Sequence, residues 1–153
     1  MAGGRGTRFQ TGHVGLNVSD LGRSTRFYRE VFGFEVSAES AAPGREYAFL
    51  TQGDTLVLTL WPQSQGAASV RSPGLHHLSF QVPSIEDVHR AAERVAAQGG
   101  RIHHGGIVPH REGGDSGGLF FEDPDGIRLE IFTAAGAGGH AAPHADGPTC
   151  GFF

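Results

Sequence analysis

The chain has 153 residues, room for one domain or two small modules sharing a core, and 38% of them are hydrophobic. A formal net charge of -4, from 12 basic and 16 acidic residues, gives no basic footprint and argues against a nucleic-acid partner. No apolar run approaches the roughly 20 residues of a membrane span, residues 1–10 lack the apolar core of a signal peptide, and the single Cys150 excludes an internal disulfide framework; the cytoplasm is the expected location.

Residues 1–10 read as a disordered Gly- and Arg-containing leader. Gly12 to Val18 then alternates, with Val14, Leu16 and Val18 on one face of a strand and His13, Gly15 and Asn17 on the other. Asp20 is placed to cap a helix whose apolar positions Leu21, Phe27, Tyr28, Val31 and Phe32 recur at helical spacing, with Gly33 to end it. Phe34 to Glu39, Tyr47 to Thr51 and Thr55 to Trp61 read as strands. The polar stretch 63–73 reads as a linker. From Gly74 to Val82 the opening pattern returns: Leu78, Phe80 and Val82 share one face, and His77, Ser79 and Gln81 the other. Ser84 begins a second helix, with Ile85, Val88, Ala91, Ala92, Val95 and Ala96 inward and Gly99 at its end. Strands follow over Arg101 to Val108, Gly118 to Glu122 and Ile127 to Phe132. Residues 109–117 form a hairpin connection whose composition suits a flexible lid, and Asp123-Pro124-Asp125-Gly126 forms a turn.

The chain is therefore a βαβββ unit made twice, an α+β architecture. A single domain is expected over residues 11–133, with module one at 11–62 and module two at 74–133, followed by a Gly/Ala/His-rich tail at 134–153. The tail's composition cannot build a core, although its two final aromatics, Phe152 and Phe153, could dock.

Alternation also locates the chemistry. In the last strand Leu129 and Ile131 face the helix, so Arg128, Glu130 and Phe132 face the opposite side. In module one the matching residues are Val57, Thr59 and Trp61, with Thr59 in the place of Glu130. One cleft thus collects His13, His77 and Glu130. Two neutral imidazoles and a carboxylate are the ligand set of a facial triad, which leaves ion positions open for substrate, water or oxygen. On the same parity Asn17, Gln81, Arg128, Phe132 and Trp61 become candidates for substrate contact, and the hydroxyl of Thr59 for a catalytic water.

The opening HVGLNVSDLGRSTRFYREVFGFEV, the strand HHLSFQV and the close FEDPDGIRLEIF resemble the vicinal oxygen chelate superfamily, which holds glyoxalase I, type I extradiol dioxygenases, fosfomycin-resistance transferases and bleomycin-binding proteins. The resemblance implies that the modules curl into a half-open barrel around a divalent metal, that the protein is a homodimer, and that each site draws on one or two chains. Glyoxalase-type enzymes carry an acidic ligand on the last strand of each module, where this chain has Thr59. Extradiol dioxygenases and fosfomycin transferases use the His, His, Glu pattern seen here. Both tend to place a tyrosine ten residues before the glutamate; this chain has Phe120. Extradiol enzymes add a lid histidine, and His110 lies one residue from that register. A fosfomycin-type lid lysine has no match, because the chain contains no lysine.

Each residue also has a plainer reading. His13 or His77 alone is usually structural, Glu130 can pair with Arg128 on its own face, His110 can be an exposed loop histidine, and Trp61 and Phe132 can be core rim. His103 and His104 are expected to straddle a strand, and His140, His144 and Cys150 fit no zinc spacing. Three functions result. The first is a dioxygenase-like enzyme holding Fe(II), with His110 moving protons. The second is a lyase, isomerase or transferase using Mn, Ni or Zn as a Lewis acid. The third is a non-catalytic binder of an antibiotic or aromatic molecule. In every case the partner is a small molecule.

Overall fold

Two capped helices set the frame. Asp20 accepts from the Arg23 backbone N–H at 2.9 Å, which opens α1 (Leu21–Phe32); Gly33, at φ 73°, closes it with a left-handed turn. Ser84 accepts from the Asp87 N–H at 3.3 Å and opens α2 (Ile85–Ala97). Phe27 and Val31 of α1 are buried, as are Val88 and Val95 of α2. Full burial of such a side chain contributes about 1.5–3 kcal/mol, well above the tenths that separate ordinary helix propensities. Packing therefore decides where these helices lie.

The computed structural model describes residues 6–153, so the first half of the expected leader, residues 1–5, lies outside the described residues. Module one contains β1 (Val14–Asn17), α1, β2 (Glu35–Ser40), β3 (Tyr47–Gln52) and β4 (Thr55–Trp61). Module two contains β5 (Leu78–Gln81), α2, β6 (Arg101–Pro109), β7 (Gly117–Glu122) and β8 (Arg128–Thr133). The repeat is thus real: the sheets run β1-β4-β3-β2 and β5-β8-β7-β6, each with one parallel pair and two antiparallel ones. The two sheets are not closed into a barrel, since among the described residues no strand pairing joins them. Instead their helix-side residues, Leu16, Leu58 and Leu60 with Leu119, Phe121, Leu129 and Ile131, form one core with both helices. Phe27 of α1 reaches Phe121 of β7 at 6.4 Å, and Phe32 reaches Phe80 of β5 at 4.9 Å.

The turn at residues 123–126 does more than reverse the chain. Asp123 accepts from the backbone N–H groups of Asp125 and Ile127 at 2.8 and 2.9 Å and from the Tyr28 hydroxyl at 2.9 Å. Asp125 accepts from the Ser19 N–H at 2.9 Å and the Arg23 guanidinium at 2.8 Å. Module two is clasped to α1 through these two carboxylates, Asp125 at its start and Asp123 at Tyr28 in its second half.

Two irregularities change the expected facing of side chains. The register of β4 against β3 shifts between Leu50 and Thr51, and Val57 packs on the core rather than the cleft. In β6 the register shifts between Ile102 and Ile107, with His104 at φ 56° and Gly105 and Gly106 also at positive φ. His103 and His104 therefore do not straddle the strand. The bulge turns both towards Phe120 and the tail.

Candidate metal and substrate site

Glu130 sits in the middle of its sheet, opposite Ser79 of β5 and Phe120 of β7, and is 3% exposed. A carboxylate so placed needs charge-matched partners, because ionised groups removed from water are costly unless paired. Two imidazoles meet it. His77 Nε2 stands 3.5 Å from Glu130 Oε2, and His110 Nε2 stands 2.5 Å from Glu130 Oε1. The other ring nitrogen of His110 hydrogen-bonds the Ser116 hydroxyl, which fixes the ring plane. Burial, with help from neighbouring His76 and Arg128, pushes the His77 pKa below the usual imidazole range against the opposing pull of Glu130. The neutral imidazole is also the form that binds metals.

The remaining expected residues divide between this place and others. His110 is no free lid histidine; it belongs to the Glu130 group, and its hairpin is closed by the His110 N–H to the Ser116 carbonyl at 2.9 Å. Phe120 is fully buried beneath the site, Phe132 packs on His110 at 5.2 Å, and the Arg128 guanidinium faces an aromatic ring. Thr59 lies on the other sheet, where its hydroxyl accepts from the Trp61 indole N–H at 2.9 Å. Trp61 completes an aromatic group with Tyr47 and Phe49, at 5.8 and 5.9 Å. Asn17 uses its side-chain oxygen to hold the Gln63 N–H at 2.9 Å, and Gln81 is exposed at the end of β5.

His13 does not join the Glu130 group within one chain. It is exposed at the foot of β1 and forms no ion pair with Glu130; among the described residues no three His, Cys, Asp or Glu side chains are gathered closely enough to hold an ion. Parity puts His13 and His77 on corresponding faces of two sheets, and no strand pairing among the described residues joins those sheets. His76 is exposed and shares a 2.8 Å hydrogen bond with His77.

Sequence reasoning did not place the tail at this site. Residues 134–153 fold back over module two, with Ala137 and Thr149 fully buried. Phe153 lies 5.5 Å from the His77 ring, and burial, with the charge of Glu130 adding to it, raises the pKa of the Cys150 thiol. The signal present in the sequence was an aromatic pair ending a segment that had no apolar pattern of its own.

The description "Glyoxalase/Bleomycin resistance protein/Dioxygenase superfamily" belongs to the family model that matches residues 10–131. The chain is a member of that superfamily. A lactoylglutathione lyase of Salmonella typhimurium is 32% identical over 133 residues, spanning 82% of this chain and 93% of the relative. A manganese-dependent 2,3-dihydroxybiphenyl 1,2-dioxygenase of Geobacillus genomosp. 3 is 27% identical over 125 residues. The chain spans only 35% of that dioxygenase's length, and 42% of an Arabidopsis thaliana lactoylglutathione lyase that is 34% identical. Among solved structures, a superfamily domain from Frankia sp. EAN1pec superposes with a TM-score of 0.69 at 28% identity, covering 88% of this chain and 96% of that one. The fosfomycin resistance protein FosX of Listeria monocytogenes shares the fold, at a TM-score of 0.62 and 22% identity, covering 83% of this chain and 94% of that one. Lyases and dioxygenases thus stand side by side among this superfamily member's relatives.

Proposed function

We propose that the chain is a divalent-metal-dependent enzyme acting on a small oxygenated organic molecule through His13, His77 and Glu130, with chemistry nearest to that of a dioxygenase. One observation carries the reading: a deeply buried carboxylate, Glu130, approached by His77 at 3.5 Å in the row where module one has Thr59. His77 and Glu130 fit a divalent ion. His13 fits only if a second copy supplies it, and its exposure leaves it available for that. The active species is accordingly a homodimer with each centre shared between chains. A bound ion with three protein ligands offers its remaining positions to substrate oxygens or O₂ and supplies Lewis acidity. Fe(II) is favoured for the dioxygenase reading; Mn, which the Geobacillus relative's name specifies, Ni and Zn are the alternatives. His110 holds Glu130 in place and accepts or returns a proton at Nε2, while Phe120, Phe132 and Arg128 line the substrate side. No helix among the described residues is long and apolar enough to cross a membrane, and a cytoplasmic location suits this reading.

A second reading, a glyoxalase-like lyase or isomerase, is favoured by 32% identity to the Salmonella lyase across nearly its whole length. Thr59, in the place of a second acidic ligand, weighs against it. The third reading, a non-catalytic binder, leaves the buried Glu130 with two imidazoles unexplained.

Subunit mixing tests the favoured reading. His13→Ala and Glu130→Ala are each expected to bind no stoichiometric metal after anaerobic purification, whereas a mixed dimer of the two is expected to regain one centre per dimer. Failure of the mixture to regain metal would overturn the shared centre. A Glu130→Ala protein that keeps full metal would overturn the ligand set.

A further inference from the structure

The tail is fastened over module two at several points. The Thr149 N–H donates to the His110 carbonyl at 2.8 Å, and the Thr149 hydroxyl to the Pro109 carbonyl at 2.6 Å. Asp115 holds the Gly136 and Gly138 N–H groups at 3.1 and 3.3 Å through its carboxylate. These bonds deliver Phe153 to a particular place. Its ring meets Phe120 edge to face at 5.1 Å, His103 at 5.5 Å and His77 at 5.5 Å, and the Arg128 guanidinium carbon lies 5.2 Å from its centre. The adjoining Phe152 stays half exposed.

These neighbours differ from those of a core phenylalanine. The phenylalanines of this protein's interior pack among Leu, Ile, Val and other aromatic rings, whereas Phe153 is surrounded by three imidazoles, those of His76, His77 and His103, a guanidinium and one aromatic edge. Each of those groups favours a π-face or ring edge, through cation–π or edge-to-face attraction of about 0.5–2 kcal/mol. Two of them, His77 and Phe120, are also beside Glu130, on the side where a substrate would approach.

We propose that His77, His103, Phe120 and Arg128 form a subsite for an aromatic ring, and that Phe153 is its intramolecular occupant, displaced when an aromatic ligand binds. That the ring belongs to a substrate rests on the metal-centre reading above; that the subsite takes a ring does not. A tethered ring competes at an effective concentration in the millimolar range, so it sets a threshold that weak aromatic ligands do not cross.

The test uses the full chain, metal-free in the presence of a chelator, with 2-naphthol as probe. Phe153→Ala is expected to bind 2-naphthol at least fivefold more tightly than the unaltered chain. Asp115→Ala, which loosens the tail but keeps the ring, is expected to lie between the two. Amide signals of residues 150–153 in the unaltered chain should move, as 2-naphthol is added, towards their positions in Phe153→Ala. Equal affinity in all three proteins, or binding that leaves those signals in place, would overturn the proposal. Should Phe153→Ala not fold, Asp115→Ala and the signals of the unaltered chain decide alone. Because no metal is present, failure of the metal centre leaves this outcome unaffected.

Discussion

Thr59 and Glu130 occupy the same place in the two modules. Gly15, Thr59 and Phe49 form one cross-strand row, and Ser79, Glu130 and Phe120 form the other. Both central residues are almost wholly buried, yet one is a hydroxyl satisfied by Trp61 and the other a carboxylate met by two imidazoles. The repeat has kept its geometry and split its chemistry.

Thr59→Glu tests what that split means. A carboxylate here finds the Trp61 N–H and little else, and an unpaired buried charge costs several kcal/mol. The metal-free variant should unfold at a clearly lower temperature. Nickel or zinc should recover part of the loss, because a cation then supplies the missing charge and the site gains a fourth ligand. Thermal unfolding with and without metal decides; a loss that no metal recovers would place Thr59 in packing alone.

Gly118→Ala should damage the site from beneath. A Cβ on Gly118 would come within 2.1 Å of the Ile131 carbonyl oxygen and 2.6 Å of the Phe132 Cα, and backbone of a central strand cannot step aside cheaply. Overpacking of this kind costs about 1–3 kcal/mol or more. Since β8 carries Glu130, metal affinity should fall along with stability. Urea unfolding beside metal titration checks both, and an unchanged midpoint would refute the close approach.

Much of this arrangement was legible in the sequence, for a definite reason. Period-two alternation in Ile127 to Phe132 separates Leu129 and Ile131 from Glu130, and the structure keeps that separation. Asp20 and Ser84 announced both helices because the first N–H groups of a helix need an acceptor. Alternation says which face of a strand a residue takes, but not which faces of two sheets meet, so the separation of His13 from Glu130 was not readable. It also breaks wherever a bulge adds a residue, as at Val57 and His104. The tail's docking rests on backbone bonds to Asp115, His110 and Pro109, which leave no hydrophobic period to read.

His104 should give stability a dependence on pH. Its Nε2 is buried with no hydrogen-bond partner among the described residues, and burial, with His103 and His144 nearby, pushes its pKa below the ordinary 6.5. A base whose folded pKa is depressed contributes stability above its unfolded pKa and loses it as pH falls through the folded one. His104→Gly removes the titration and also suits the φ of 56° at this position. Stability measured from pH 7 downward should therefore fall less in the variant than in the unaltered chain. Parallel profiles would show that His104 does not contribute.

The Tyr28–Asp123 bond should show the opposite sign. Burial raises the Asp123 carboxyl above the ordinary 3.8, although its hydrogen bonds from Ile127, Tyr28 and Asp125 resist this. A raised acid holds its proton more tightly in the folded state, so its contribution is complete below 3.8 and is lost as pH rises through the folded pKa. Asp123→Asn keeps an acceptor for the two backbone N–H groups and presents an amide to Tyr28, without a charge to bury. Relative to the unaltered chain it should gain stability as pH rises from 3.8 through the folded pKa of Asp123. Tyr28→Phe acts the other way: it strips a donor from a buried carboxylate oxygen, costs about 1–3 kcal/mol, and costs more at pH 7 than at pH 4 because the ionised group accepts that donor more strongly than the protonated one. Urea midpoints for both variants at the two pH values check this. If Tyr28→Phe costs the same at each, the carboxylate does not depend on Tyr28, and the clasp between the modules must rest on Asp125 with Ser19 and Arg23.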